Sequence, residues 1–129
     1  MYSRWESIIQ IALRTPSPHN TQPWRLRIKD ERHATLYLEV ARTLPDEDTT
    51  GHFLRCAMGM FLESLRIISA NAGFSLAHTL IENSGAAGSL FRFAELELQG
   101  SSEASPYANE LFQTRMTSRL PSNGARIDP

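Results

Sequence analysis

The chain has 129 residues, 41% hydrophobic and 21% charged, which is enough apolar material for one ordinary core and too little length for two comfortable domains. Its net charge of −1 supplies no basic surplus to neutralise a nucleic-acid backbone, so nucleic acid is not an expected partner. No apolar run approaches the roughly 18 residues that a membrane helix needs, and Met1-Tyr-Ser-Arg-Trp-Glu6 lacks a signal core, which makes the cytoplasm the expected address.

Trp5, Ile8, Ile9, Ala12 and Leu13 recur at i, i+3 and i+4, the rhythm of one apolar helical face, and Thr15-Pro16 ends that helix. The next nine residues, Pro16-Ser-Pro-His-Asn-Thr-Gln-Pro-Trp24, contain three prolines that forbid helix and restrict the backbone. Ser17, His19, Asn20 and Gln22 are therefore expected to project from a stiff polar loop, with Trp24 in the core. Beyond it, Leu26 and Ile28 alternate with Arg25, Arg27 and Lys29, while Leu36, Leu38 and Val40 alternate with Thr35, Tyr37 and Glu39. That pattern predicts a β-hairpin with one wet face, linked by Asp30 to His33.

Turn formers and acids between Arg42 and Gly51 announce a long helix from about residue 50 to Gly73. Phe53, Leu54, Ala57, Met58, Met60, Phe61, Leu62, Leu65, Ile67, Ile68 and Ala72 nearly encircle it, leaving a narrow polar stripe of Arg55, Gly59, Glu63 and Arg66. A helix that is apolar on most sides is buried on most sides, and in so small a domain a second chain is expected to supply part of the cover, as in a homodimer. Cys56, the only cysteine, excludes an internal disulfide or CxxC pair and is expected to be a buried small hydrophobe.

Phe74 to Ile81 and Leu90 to Leu98 then predict two strands, and Pro106 with Ala108 to Met116 predicts a short helix. The expected fold class is α+β, a mostly antiparallel sheet packed on a long central helix. Asp128-Pro129 carries the N-cap and first-turn signature of a helix whose body does not follow. Residues 1–129 are accordingly expected to form a single domain that is incomplete at its C-terminal end.

Two segments carry candidate chemistry. Arg115-Met-Thr-Ser-Arg119 brings two guanidinium groups and the Thr117 hydroxyl within five residues, a set able to grip a phosphate through charge-assisted bonds. Taken alone, a solvated basic helix end is the favoured explanation. Ser17, His19, Asn20 and Gln22, taken alone, are explained by a loop whose side chains satisfy their own backbone.

The segment Pro16 to Trp24 closely resembles the APSxHNTQPW stretch of the FMN-dependent nitroreductase superfamily, especially its branch built from two tandem halves. Arg115 to Arg119 is similar to that family's RRSxR or RRTxR segment, with Met116 in place of the second arginine. Looser similarity runs through Arg42-Thr-Leu-Pro45 and Gly59 to Leu65, whereas His52 stands where the branch often has arginine. The resemblance implies FMN as cofactor, with Arg115, Thr117 and Arg119 at its phosphate and ribityl chain. It also implies Ser17 and Asn20 near the ring, with His19 and Gln22 as neighbours. The implied reaction moves hydride from NAD(P)H through the flavin to a nitroaromatic or quinone-type small molecule, with no catalytic side chain. Because the two motifs lie at opposite ends of the chain, a dimer interface is their expected meeting place. The alternatives are a flavin-sequestering module that uses the same pocket without turnover, and a truncated half with no ligand whose apolar helix only forms a structural dimer.

Other chemistries lack their signatures. The four histidines, at 19, 33, 52 and 78, show no HxxxH or HExxH spacing, so no metal is expected, and GxSxG, P-loop and GxGxxG patterns are missing. Glu63 and Arg66 suggest a surface or interface ion pair, and Arg92, Glu95 and Glu97 ordinary strand decoration.

Overall fold

Alternating apolar residues pair across the sheet as their period of two requires. In the computed structural model, which describes residues 3–81, 89–117, 121 and 124, β1 (Trp24–Ile28) and β2 (His33–Glu39) run antiparallel with Leu26 opposite Leu36. Asp30 closes their link, its Oδ1 accepting the Arg32 N–H at 2.7 Å and the His33 N–H at 2.8 Å. The Arg32 amide and the His33 ring and amide hold the Asp30 carboxyl below its ordinary range. Val40 does not complete β2 as its pattern predicts. The chain turns after Glu39 into a 3-10 turn, and Val40 is exposed.

β3 (Phe74–Leu80) and β4 (Leu90–Ser101) complete a sheet of order β1-β2-β4-β3 in which every neighbouring pair is antiparallel. The β2–β4 ladder slips between Leu36 and Tyr37, which face Ala94 and Arg92 and leave Phe93 as the extra residue of a bulge.

One layer of helices covers one face of this sheet. From α1 (Ser3–Ala12) come Trp5, Ile8 and Ala12, and from α2 (His52–Asn71) come Ala57, Met58, Phe61, Leu65 and Ile68. They form one core with Trp24, Ala34, Leu36, Leu76, Ala94, Leu96 and Leu98 from the strands. The Trp24 and Phe61 rings stack at 4.5 Å and 3°, so Trp24 is a core residue as expected.

The apolar belt of α2 is only partly covered. Phe53 is 64% exposed and Met60 43%, and Cys56 on the same line of the helix is exposed too. The expectation of a buried cysteine is therefore corrected: positions 53, 56 and 60 fall on the side of α2 turned from the sheet. Ser64 and Ser69 are buried instead. Ser64 Oγ donates to the Met60 carbonyl at 2.8 Å and lies 2.8 Å from Thr15 Oγ1, which roots the end of α1 on α2. Glu63 and Arg66 form the expected pair, and the hydrogen bond from Arg66 lowers the Glu63 carboxyl.

Asp48, 7% exposed, caps α2 from four residues upstream. Its oxygens accept the N–H of Phe53 at 3.3 Å and of Leu54 at 3.0 Å, while Gly51 takes φ +71° to let the chain turn in. Asp48→Ala should lower stability by about 1–2 kcal/mol in urea unfolding, the range for a lost helix cap. An unchanged unfolding midpoint would show that the cap contributes nothing.

At the other end of α2, Asn71 Nδ2 donates to the Tyr107 carbonyl at 2.9 Å and to Asn109 Oδ1 at 2.8 Å. That tether delivers α3 (Asn109–Thr114), shorter than its sequence pattern, with Pro106 in the bend before it rather than in its first turn. Among the described residues no helix is long and apolar enough to cross a membrane.

The opposite sheet face is a lattice of charges. Glu95 takes hydrogen bonds from Lys29 Nζ at 2.7 Å, Thr35 Oγ1 at 2.9 Å and Arg92 Nη2 at 2.5 Å, so it is more than strand decoration. Burial pushes its carboxyl up, but those three donors outweigh it and bring the pKa from the ordinary 4.5 down to about 2. A depressed folded-state value means stability that is fully present above pH 4.5 and lost as pH falls towards 2. Glu95→Gln should therefore cost ~1 kcal/mol at pH 7, after discounting for solvent screening, and nearly nothing at pH 2. A penalty that stays constant over that range would contradict the linkage.

Candidate functional site

The loop between α1 and β1 holds an unusual backbone. Ser17 is extended at φ −146°, and Pro18 begins a single 3-10 turn, so the prolines do not exclude helical geometry entirely. His19, Asn20 and Gln22 then sit at φ 49°, 55° and 46°. Left-handed conformations cost a residue with a Cβ roughly 1–3 kcal/mol, less for Asn, and persist only under restraint. The restraints are visible. Asn20 N–H donates to the Ser17 carbonyl and Thr21 N–H to the Pro18 carbonyl, both at 3.0 Å, and Gln22 N–H donates to Ser17 Oγ at 2.9 Å. His19 Nε2 lies 2.6 Å from Glu47 Oε2, joining this loop to the one before α2.

Ser17 thus serves its own loop, the structural role its residue type commonly plays. Gln22 Nε2 donates to Asn20 Oδ1 at 3.0 Å. That contact leaves Asn20 Nδ2 as a donor and Gln22 Oε1 as an acceptor, side by side and without a partner among the described residues.

The basic segment arrives beside this loop in the same chain. Arg14 Nη2 donates to the Gln113 carbonyl at 3.4 Å, and Arg115 Nε donates to the Arg14 carbonyl at 2.9 Å. Arg115 Nη1 donates to Thr117 Oγ1 at 3.1 Å, while Nη2 has no partner among the described residues. Arg14 is three residues before Ser17, so the two segments approach each other within one chain. Arg119 lies outside the described residues.

No family model matches the chain. Over 68 residues, 53% of its length, it is 37% identical to a protein of Mycobacterium tuberculosis, found in two strains and provisionally named NAD(P)H nitroreductase Acg. The match spans 20% of that relative, so the chain corresponds to a fraction of the curated protein. Among solved structures, a protein of Clostridium acetobutylicum provisionally named NADH oxidase superposes with TM-score 0.61 at 10% identity, over 100% of this chain and 89% of the other. A nitroreductase family protein of Clostridium difficile gives 0.60 at 14% identity over 98% and 88%. These superpositions bear on the fold alone. Over about half its length the chain is homologous to a protein named as a nitroreductase, and its fold is that of the nitroreductase-family structures.

The loop and the basic segment offer groups of the kind that a flavin's ring edge and a phosphate would meet. A flavin's polar ring edge alternates acceptors and a donor, which suits the adjacent Asn20 Nδ2 and Gln22 Oε1. The buried Thr21 Oγ1 in the same loop is left without a partner, and Arg115 Nη2 is free among the described residues for a phosphate oxygen. Two depressions of about 340 and 290 Å³ lie on the charged sheet face instead, and no sequence-predicted site residue lines either. Charges in their linings pair with one another, as Lys29 does with Glu95 and Arg25 with Glu39. Among the described residues no cluster of metal-ligating side chains occurs. The left-handed backbone at Gln22 carries no sequence signal, because glutamine does not favour it, whereas His19 and Asn20 are residue types enriched in that conformation.

Proposed function

We propose that the chain holds FMN between the Pro16 to Trp24 loop and the Arg115 to Arg119 segment. In this reading it acts as a cytoplasmic, homodimeric NAD(P)H-dependent reductase of nitroaromatic or quinone-type acceptors. The observation carrying the reading is the 2.9 Å bond from Arg115 Nε to the Arg14 carbonyl, which supports a single site shared by both motifs. Bound FMN supplies the hydride chemistry. Arg115, Thr117 and Arg119 hold the phosphate, a dianion that a guanidinium fork matches better than an ammonium. Asn20 and Gln22 meet the polar ring edge, while Ser17 and His19 keep the loop in shape. No side chain is required to act as acid or base. The exposed Phe53 and Met60 on α2 support a homodimer, since an apolar stripe of that kind is normally covered.

Absorbance titration with FMN, gel filtration of the loaded protein and NAD(P)H oxidation with a nitroaromatic acceptor test the reading together. Retained yellow colour with turnover supports it. Retained colour without turnover would make the chain a flavin-sequestering module, and failure to bind FMN would remove the reading altogether.

A further inference from the structure

Glu39 ends β2 with its side chain 24% exposed and stands between two arginines. Its Oε2 is 2.5 Å from Arg25 Nη2 and 3.0 Å from Arg42 Nε. Each arginine in turn holds the functional loop by its carbonyls. Arg42 Nη1 donates to Thr21 O at 3.2 Å, and Arg25 Nη1 donates to Gln22 O at 3.4 Å and Trp24 O at 2.7 Å. The remaining carbonyl of the run, Pro23 O, accepts the Glu39 N–H itself at 2.7 Å. All carbonyls from Thr21 to Trp24 therefore end on groups that Glu39 carries or holds. One carboxylate pairs with both guanidinium groups and offsets half their charge, and an amide in its place would leave two cations converging on one loop with no counter-charge.

We infer that Glu39 is a positioning residue. Through Arg25 and Arg42 it fixes the carbonyl run from Thr21 to Trp24, and so keeps Asn20 and Gln22 in the left-handed conformations that set the direction of their side-chain amides. Its consequence for cofactor affinity rests on the FMN reading above; its consequence for loop conformation does not.

Glu39→Gln in the full chain tests this by hydrogen exchange at the Asn20, Thr21 and Gln22 amides, with the Leu65 and Ile68 amides of α2 as internal reference. The loop amides should exchange about tenfold faster while α2 is unchanged, and FMN affinity should fall by a similar factor. Glu39→Asp, which keeps the charge, should recover part of both. Loop exchange within about twofold of wild type would overturn the inference. Acceleration shared equally by α2 would do the same, since it would mark a general loss of stability. A Glu39→Asp variant no better protected than Glu39→Gln would also overturn it. If the wild-type protein binds no FMN, the functional reading fails while the exchange measurement still decides the clamp. If FMN binds and Glu39→Gln leaves exchange unaltered, the clamp alone fails.

Discussion

Phe61→Ala should lose about 3–5 kcal/mol of stability, the cost of truncating a fully buried aromatic, and would consume much of the ~5–15 kcal/mol available to a domain. Phe61 is wholly inaccessible, sits mid-way along α2 and stacks on Trp24 at 4.5 Å. The removed ring would leave a cavity against a side chain that begins β1, directly after the functional loop. A red shift in tryptophan emission should accompany the lowered urea midpoint, because the Trp24 indole would gain access to water. Phe61→Leu, which refills most of the space, should cost only ~1 kcal/mol. Equal losses for the two variants would mean that neither cavity nor stack matters at this position.

Arg115→Ala should weaken FMN binding by about 10- to 100-fold, the range for losing a charge-assisted contact to a phosphate dianion. Folding should survive, since Arg115 makes its described bonds near the surface, to the Arg14 carbonyl and Thr117 Oγ1. Arg115→Lys should recover only part of the affinity, because an ammonium supplies charge without the planar fork. Riboflavin, which lacks the phosphate, provides the control. Its affinity should be the same in wild type and Arg115→Ala. An Arg115→Ala protein that holds FMN as tightly as wild type would remove Arg115 from the site.

The readable parts of this protein were those encoded over short distances. The period of α1, the alternation in β1 and β2 and the length of α2 are local patterns, and each element appears within a few residues of its expected bounds. The prolines of the Pro16 to Trp24 segment likewise mark a restricted loop. What escaped depends on how elements meet. Cys56 and Ser64 are both on α2, and only the side on which the sheet lies decides that the cysteine is exposed and the serine buried. Glu95 reads as decoration until the sheet register sets Lys29 and Thr35 beside it. The left-handed backbone at His19 and Gln22 is imposed by bonds from Ser17, Arg25 and Arg42, the last from 21 residues beyond the carbonyl it holds. Within the candidate site, residue types were legible and their approach within one chain was not.

The contact between Arg115 and Arg14 closes a loop of 101 residues, yet α3 contributes no fully buried side chain. Beyond the Asn71 tether and the packing of Phe112 on the core, this segment buries little, so its hold on the rest of the chain depends on a few long-range contacts. A dianion bound at Arg115 and Thr117 in the proposed site would add to the few bonds that hold this arm, and so would stabilise its docked position by mass action.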